Sequence, residues 1–216
     1  QIMSSLNMLV MIIINFSRAK VSATRINEVL DVESSIKDKV ETKEINKFDI
    51  EFKDVYFRYN KDGDYVLKGI SFKVNEGEKI GIIGATGSGK SSLISLIPRL
   101  YDVTHGSVMI GNEDVRNLKI KELRKIIGVV LQDTTLFSGS IADNLRFGKE
   151  YATKEMMESA AIDAQASEFI SQNKEGYDRE VGQRGKSLSG GQKQRVSIAR
   201  TLIKDPKILI LDDSSS

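Results

Sequence analysis

The residues richest in chemistry are Gly84-Ala85-Thr86-Gly87-Ser88-Gly89-Lys90-Ser91, followed by Ser92. They satisfy the pattern G-x-x-x-x-G-K-[ST] at every fixed position. A polyphosphate needs many hydrogen-bond donors at close range. A loop holding Gly84, Gly87 and Gly89 can turn its backbone N–H groups inward without side-chain clash. A helix starting near Gly89 adds the positive end of its dipole. Lys90 is then placed to reach the β- and γ-phosphates, and Ser91 to set its hydroxyl on Mg²⁺.

Two further groups point at the same kind of ligand. Ile208-Leu209-Ile210-Leu211 followed by Asp212-Asp213 puts carboxylates at the C-terminal end of a strand, where ligands of open α/β sheets bind. Asp212 there can hold Mg²⁺ through water. Leu188-Ser189-Gly190-Gly191-Gln192 reads as a helix start, with Ser189 as N-cap and Gln192 completing a capping box. Two glycines in a first turn cost about 1 kcal/mol each against alanine. They make sense if an anion must approach the exposed N–H groups.

The elements that must position these groups follow from local pattern. Lys79–Ile83 reads as a short buried strand before the loop, and Ser92–Ile97 as a helix after it that Pro98 ends. Asp49–Phe57 is strand-like with one break in alternation. Val66–Val74 alternates with Ile70, Phe72 and Val74 on one face. Ser107–Ile110, Ile126–Leu131 and Ile208–Leu211 read as strands, the last two as buried ones. Helices are expected over Ile120–Lys125, Met156–Ala166, Glu168–Ser171 and Gly190–Leu202, the last stopped by Asp205-Pro206. Asn173–Lys186 reads as a polar loop.

At 40% hydrophobic and 29% charged, the 216 residues can bury an ordinary core. A net charge of +2 gives no support for a nucleic-acid or anionic-lipid partner. There is no cysteine, hence no disulfide framework or thiolate chemistry. One histidine, His105, rules out multi-histidine metal sites and sits in a turn signal. Leu6–Phe16 is almost wholly apolar, about half of the roughly 20 residues that span a bilayer. Arg18, Lys20 and Arg25 follow it, as suits a cytoplasmic membrane edge; a soluble amphipathic helix is the competing reading. Residues 31–48 read as a charged linker, with a domain boundary before Asp49. The chain opens on Gln1 and stops at Ser216 just after a hydrophobic strand, so it is expected to be part of a longer protein.

Taken together, the motifs resemble the nucleotide-binding domain of an ATP-binding cassette (ABC) transporter over about Asp49–Ser216. Leu188–Gln192 is similar to the signature that separates this family from other phosphate-loop ATPases. Gln132 resembles its glutamine loop, which touches Mg²⁺ and senses the membrane domain. Tyr59 resembles the aromatic that stacks on adenine, worth about 1–3 kcal/mol. Glu180–Gly185 is similar to a loop found just before the signature in exporters. Residues 1–30 resemble the cytoplasmic end of the last membrane helix in exporters whose two domains share one chain. The resemblance implies an α/β fold: a P-loop NTPase core with a mainly parallel sheet, an antiparallel β subdomain and a helical signature subdomain, preceded by an N-terminal helix. It implies an ATPase that binds ATP with Mg²⁺, at the cytoplasmic side of a plasma (inner) membrane. It also implies a second ABC subunit as partner. Ser189, Gly190, Gly191 and Gln192 would then meet ATP held by that subunit, while Gly84–Ser92, Tyr59, Gln132 and Asp212 hold this chain's own. No nucleic acid is implied.

One position departs from the family pattern. Asp213 stands where the family usually has the catalytic glutamate. The carboxylate is withdrawn by about 1 Å, a misplacement that can cost about 10²-fold in rate. This leaves two readings open beside a fully active exporter subunit: a degenerate site in a heterodimer, or a regulatory half-site that binds without hydrolysing. DNA-repair ATPases share the signature. They normally place a long coiled coil between the two motifs, whereas about a hundred residues without a heptad run separate Lys90 from Ser189 here.

Overall fold

A computed structural model of the chain describes residues 1–38, 45–132 and 134–212. Part of the expected linker, and Asp213, lie outside the described residues. The chain divides into two units, Gln1–Lys37 and Asp38–Ser216.

The first unit is dominated by α1 (Ile2–Leu30), 29 residues with none buried. At 1.5 Å per residue it is about 44 Å long. Its most apolar window has a mean hydropathy of 1.5, so by length and composition it can cross a membrane. The apolar run at Leu6–Phe16 and the helical spacing of Ala19–Leu30 belong to this one helix.

The second unit begins with a four-stranded antiparallel sheet. Its strands β1 (Ile50–Phe57), β2 (Leu67–Val74), β3 (His105–Ile110) and β4 (Glu113–Asp114) lie in the order β2-β1-β3-β4. The break in alternation in β1 is a bulge: the register passes from Phe52↔Phe72 to Val55↔Ile70, and Asp54 takes φ 47°. The extra residue keeps Phe52, Val55 and Phe57 all facing the core. Gly106 in β3 fits against this bulge so closely that a Cβ on it would lie 2.2 Å from the Asp54 carbonyl oxygen. Leu93 and Leu96 of α2 (Lys90–Leu96) pack into the same core.

A parallel pair follows, β5 (Ile127–Val130) with β8 (Ile208–Leu211). It is entered through α3 (Ile120–Ile126). Arg124 of α3 donates to the carbonyls of Pro98 at 3.0 Å and Arg99 at 2.9 Å, tying α3 to the end of α2. Lys204 donates to the carbonyls of Arg124 and, at 3.1 Å, Ile127. Burial holds its ammonium below the ordinary lysine range. A second apolar cluster is built by α4 (Ile141–Arg146), α5 (Lys154–Asp163), α6 (Ser167–Ser171) and α7 (Gly190–Leu202), around Ile141, Leu145, Ala161 and Val196. The stretch Asn173–Lys186 is not wholly loop, since β7 (Glu180–Val181) pairs there with β6 (Gly139–Ser140).

Two further expectations are corrected. Lys79–Ile83 is neither a strand nor buried: the segment has no regular structure, and Ile80, Ile82 and Ile83 are exposed, Ile83 at 98%. A strand forms only against a hydrogen-bonding neighbour, and no described residue pairs with this segment. On β8, expected to be buried, Leu209 and Leu211 are half exposed while Ile208 and Ile210 are buried, so only one face of the strand packs into the core. The parallel part of the sheet among the described residues is therefore β5 and β8 alone.

Gly77 and Gly106 share φ +79°, but a Cβ at Gly77 meets nothing within 4 Å. Gly77→Ala is expected to cost about 1 kcal/mol of backbone strain. Gly106→Ala adds a forced shift of β1, and is expected to cost at least about 2 kcal/mol more. Thermal unfolding of the two variants, each compared with wild type, measures that difference.

Candidate nucleotide site

The loop before α2 is left-handed at both inner glycines, with φ 81° at Gly87 and 91° at Gly89. Gly89 is the N-cap of α2 and provides no side-chain cap, so the first N–H groups of the helix stay directed into the loop. At Gly89 the positive φ strains any side chain, and both Gly89 and Gly84 sit close to neighbouring side chains. A Cβ on Gly89 would lie 2.9 Å from Leu67 Cδ2 and 3.2 Å from Val66 Cγ1, and one on Gly84 would lie 2.6 Å from Ser88 Oγ. Lys90 arcs back over the loop, its Nζ donating to the carbonyls of Gly84 at 2.8 Å and Ala85 at 3.1 Å. That path hangs the ammonium above the loop's own backbone.

A cavity of about 270 Å³ opens on this loop. Thr86, Gly87, Ser88, Gly89, Lys90, Ser91 and Ser92 form one wall, and Gln132, Asp212 and Val66 complete it. Gln132 and Asp212 come from segments far apart in sequence, and the parallel register explains why they meet. Val130 pairs with Leu211, so the residues that follow each strand emerge at the same edge, and the Asp212 N–H donates to the Val130 carbonyl at 2.9 Å. Gly84 and Ala85 do not line the cavity; they stand behind it as acceptors for Lys90. Ser91 is exposed, whereas Ser92 is buried and its hydroxyl meets that of Tyr59 at 2.8 Å. Tyr59 lies outside the cavity wall but is linked to it through that contact.

The predicted signature is not part of this cavity. Ser189, Gly190 and Gly191 are exposed at the start of α7. The capping box is present: Ser189 Oγ accepts from the Gln192 N–H at 3.3 Å, and Gln192 Oε1 accepts from the Ser189 N–H at 3.0 Å. A Cβ on Gly190 or Gly191 would meet nothing within 4 Å. The two glycines therefore answer no crowding inside this chain.

Val66 escaped the sequence reading, which used it only as the first residue of a strand. Its signal lies in the fold: the turn into β2 is the surface on which Gly89 rests. The site suits a triphosphate with Mg²⁺. Among the described residues it offers a glycine cradle, the Lys90 ammonium, the hydroxyls of Thr86, Ser88, Ser91 and Ser92, the Gln132 amide and the Asp212 carboxylate. No group of three or more His, Cys, Asp or Glu that could hold a metal exists among the described residues. Mg²⁺ would therefore need oxygens from the ligand and from water, as it does at phosphate sites.

The family model described as ABC transporter matches residues 67–216. The chain belongs to the ABC transporter family. It is 50% identical over 167 residues to the ATP-binding/permease protein YgaD of Bacillus subtilis (strain 168), covering 77% of this chain and 29% of YgaD. It is 46% identical over 190 residues to the β-(1→2)glucan export ATP-binding/permease protein NdvA of Rhodopseudomonas palustris (strain BisB18), covering 87% of this chain and 31% of NdvA. The structure of a bacterial Atm1-family ABC exporter with ATP bound superposes with a TM-score of 0.86 at 35% identity, over 92% of this chain and 35% of that one. The chain thus spans about a third of the length of these ABC proteins, and its fold is the P-loop NTPase fold of an ABC domain.

Within this ABC domain the cavity and the signature separate two kinds of defect. Lys90→Ala is expected to weaken Mg·ATP binding by about 10-fold or more, since it removes the ammonium that hangs over the loop. Gln192→Ala is expected to cost about 1 kcal/mol of stability through the lost capping box and to leave that affinity unchanged. Calorimetric titration and thermal unfolding of both variants read the two effects separately.

Proposed function

We propose that this chain is the ATP-binding portion of one subunit of an ABC exporter. The subunit would lie at a plasma (inner) membrane with this domain on the cytoplasmic side, beside its own membrane domain. One observation carries the reading: a single cavity unites the glycine loop with Gln132 and Asp212. In this reading Gly84–Ser92 cradle the triphosphate, with Lys90 on its β- and γ-phosphates. Ser91, Gln132 and Asp212 hold Mg²⁺, which supplies charge neutralisation when bound. Tyr59 stacks on the base. Residues 1–30 form the C-terminal end of the last membrane helix and its cytoplasmic extension, 31–48 link the domains, and 49–216 are the nucleotide-binding domain.

The exposed signature supports a two-molecule site. Ser189, Gly190, Gly191 and Gln192 would close on ATP held by a second ABC subunit, whose own signature would cover this chain's loop. Closure would couple hydrolysis to substrate export. No nucleic acid takes part.

Hydrolysis at this chain's own loop would be weak. Asp213 stands at the position of the water-polarising carboxylate and reaches about 1 Å less far than glutamate would, and phosphoryl transfer depends on such positioning. The same residue favours a second reading, a regulatory half-site that holds ATP without turnover. Asp213→Glu in the full-length protein with its partner is expected to raise hydrolysis at this site by about 10-fold or more, and Ser189→Ala to lower hydrolysis at the partner's site instead. Site-resolved ATPase measurements in reconstituted membranes check both. An unchanged rate with Asp213→Glu would remove the degenerate-site assignment, and absence of nucleotide-dependent transport would remove the exporter reading.

A further inference from the structure

Tyr59 is held in place by two aromatic rings that the nucleotide reading does not use, Phe57 and Tyr101, and by Ser92 of the loop helix. The residue is 53% exposed. Phe57 stands nearly perpendicular to it at 4.8 Å and 76°, and Tyr101 at 5.1 Å and 88°. Phe57 and Tyr101 also meet each other at 5.6 Å. The Tyr59 hydroxyl is taken by buried Ser92, next to Ser91 in the loop helix. These contacts fix the plane of the ring and leave part of it open.

Tyr101 owes its position to a strained turn. Arg99 is buried yet takes φ 52°, a left-handed backbone uncommon for a residue with a Cβ. Asp102 holds it there by accepting from its Nε at 2.8 Å and Nη2 at 3.3 Å, while Arg124 donates to its carbonyl at 2.9 Å. The turn that follows α2 brings Tyr101 against both Phe57 and Tyr59. Strain of this kind persists only where the surroundings over-determine it, and it marks places where a side chain must be aimed.

Resting on the base-stacking role proposed for Tyr59, we propose that Tyr101 is a positioning residue for the base. With Phe57 and Ser92 it sets the Tyr59 ring in advance, so that a purine meets an oriented π-face and not a mobile side chain. A preset ring loses less freedom on binding, and the gain appears as affinity for the base and not for the phosphates.

The test compares Mg·ATP with Mg·tripolyphosphate, which carries the same phosphates and no base. Both affinities are measured on the full-length protein by calorimetry. Tyr101→Ala is expected to weaken ATP by about 3- to 10-fold, the range of an aromatic pair, and to leave tripolyphosphate unchanged. Tyr101→Phe keeps the ring and is expected to hold ATP within about 2-fold of wild type. In a Tyr59→Ala background, Tyr101→Ala should have no further effect on ATP. Equal losses for both ligands, or the same loss without Tyr59, would overturn the inference and make Tyr101 a general structural residue. A wild type that binds tripolyphosphate as tightly as ATP overturns the stacking role of Tyr59 itself. A wild type that prefers ATP, with Tyr101→Ala unmoved, overturns this inference alone.

Discussion

The site depends on one close approach, that of the Gly89 backbone to Val66 and Leu67 at the start of β2. At φ +91° and with a would-be Cβ 2.9 Å from Leu67 Cδ2 and 3.3 Å from the Val66 carbonyl oxygen, a side chain at residue 89 would be strained and would crowd the start of β2. The φ of 91° then turns the chain directly into α2, so the helix starts uncapped and its first donors face the loop. Leu93 and Leu96 bury the far side of that helix in the sheet's core. Packing on one face of α2 therefore sets the direction of the donors at its end.

The other wall comes from a different constraint, parallel register. In an antiparallel pair, residues that follow two neighbouring strands emerge at opposite ends; in a parallel pair they emerge together. The Val130↔Leu211 pairing accordingly delivers Gln132 and Asp212 to one edge although some eighty residues separate them. Those eighty residues form the helical cluster around Ile141, Leu145 and Val196, and α7 returns the chain to β8. Gly128 lets this return pack tightly: a Cβ there would lie 2.7 Å from Thr201 and 2.8 Å from Pro206. Lys204 adds donors to the carbonyls of Arg124 and Ile127 at the same junction.

Local pattern disclosed much of this. The capping box at Ser189 and Gln192 and the extent of α7 follow from short-range rules, since each is satisfied by neighbours in sequence, and the break in alternation in β1 is visible although the bulge it marks is set by β2 and β3. The glycine spacing of the loop belongs with them. What stayed hidden depends on distant partners. Lys79–Ile83 has the apolar run of a buried strand, but burial requires neighbours on both sides, and no described residue provides them. The cavity position of Val66 is a property of where α2 lands, which no window around Val66 contains. The aromatic group of Phe57, Tyr59 and Tyr101 is likewise assembled across the β1–α2 interface, and the left-handed turn at Arg99 that aims Tyr101 has no composition signal, because glycine would have been the ordinary choice there.

The separation of cavity from signature bears on how such a domain can act in the proposed pair. The first turn of α7 is closed at its own level by reciprocal side-chain bonds, and its glycines face open space. Its core is a cluster distinct from the one beneath the phosphate loop. In such a layout no residue of α7 lines the cavity, so ATP bound at the loop makes no direct contact with the signature within this chain. A ligand shifts an equilibrium only through differential contacts with the two states. In the proposed pair those contacts arise across the interface, where the triphosphate of one molecule meets the exposed N–H groups of the other. Closure would then be driven by the nucleotide bridging two chains, and the free glycine face of α7 is the surface such a bridge requires.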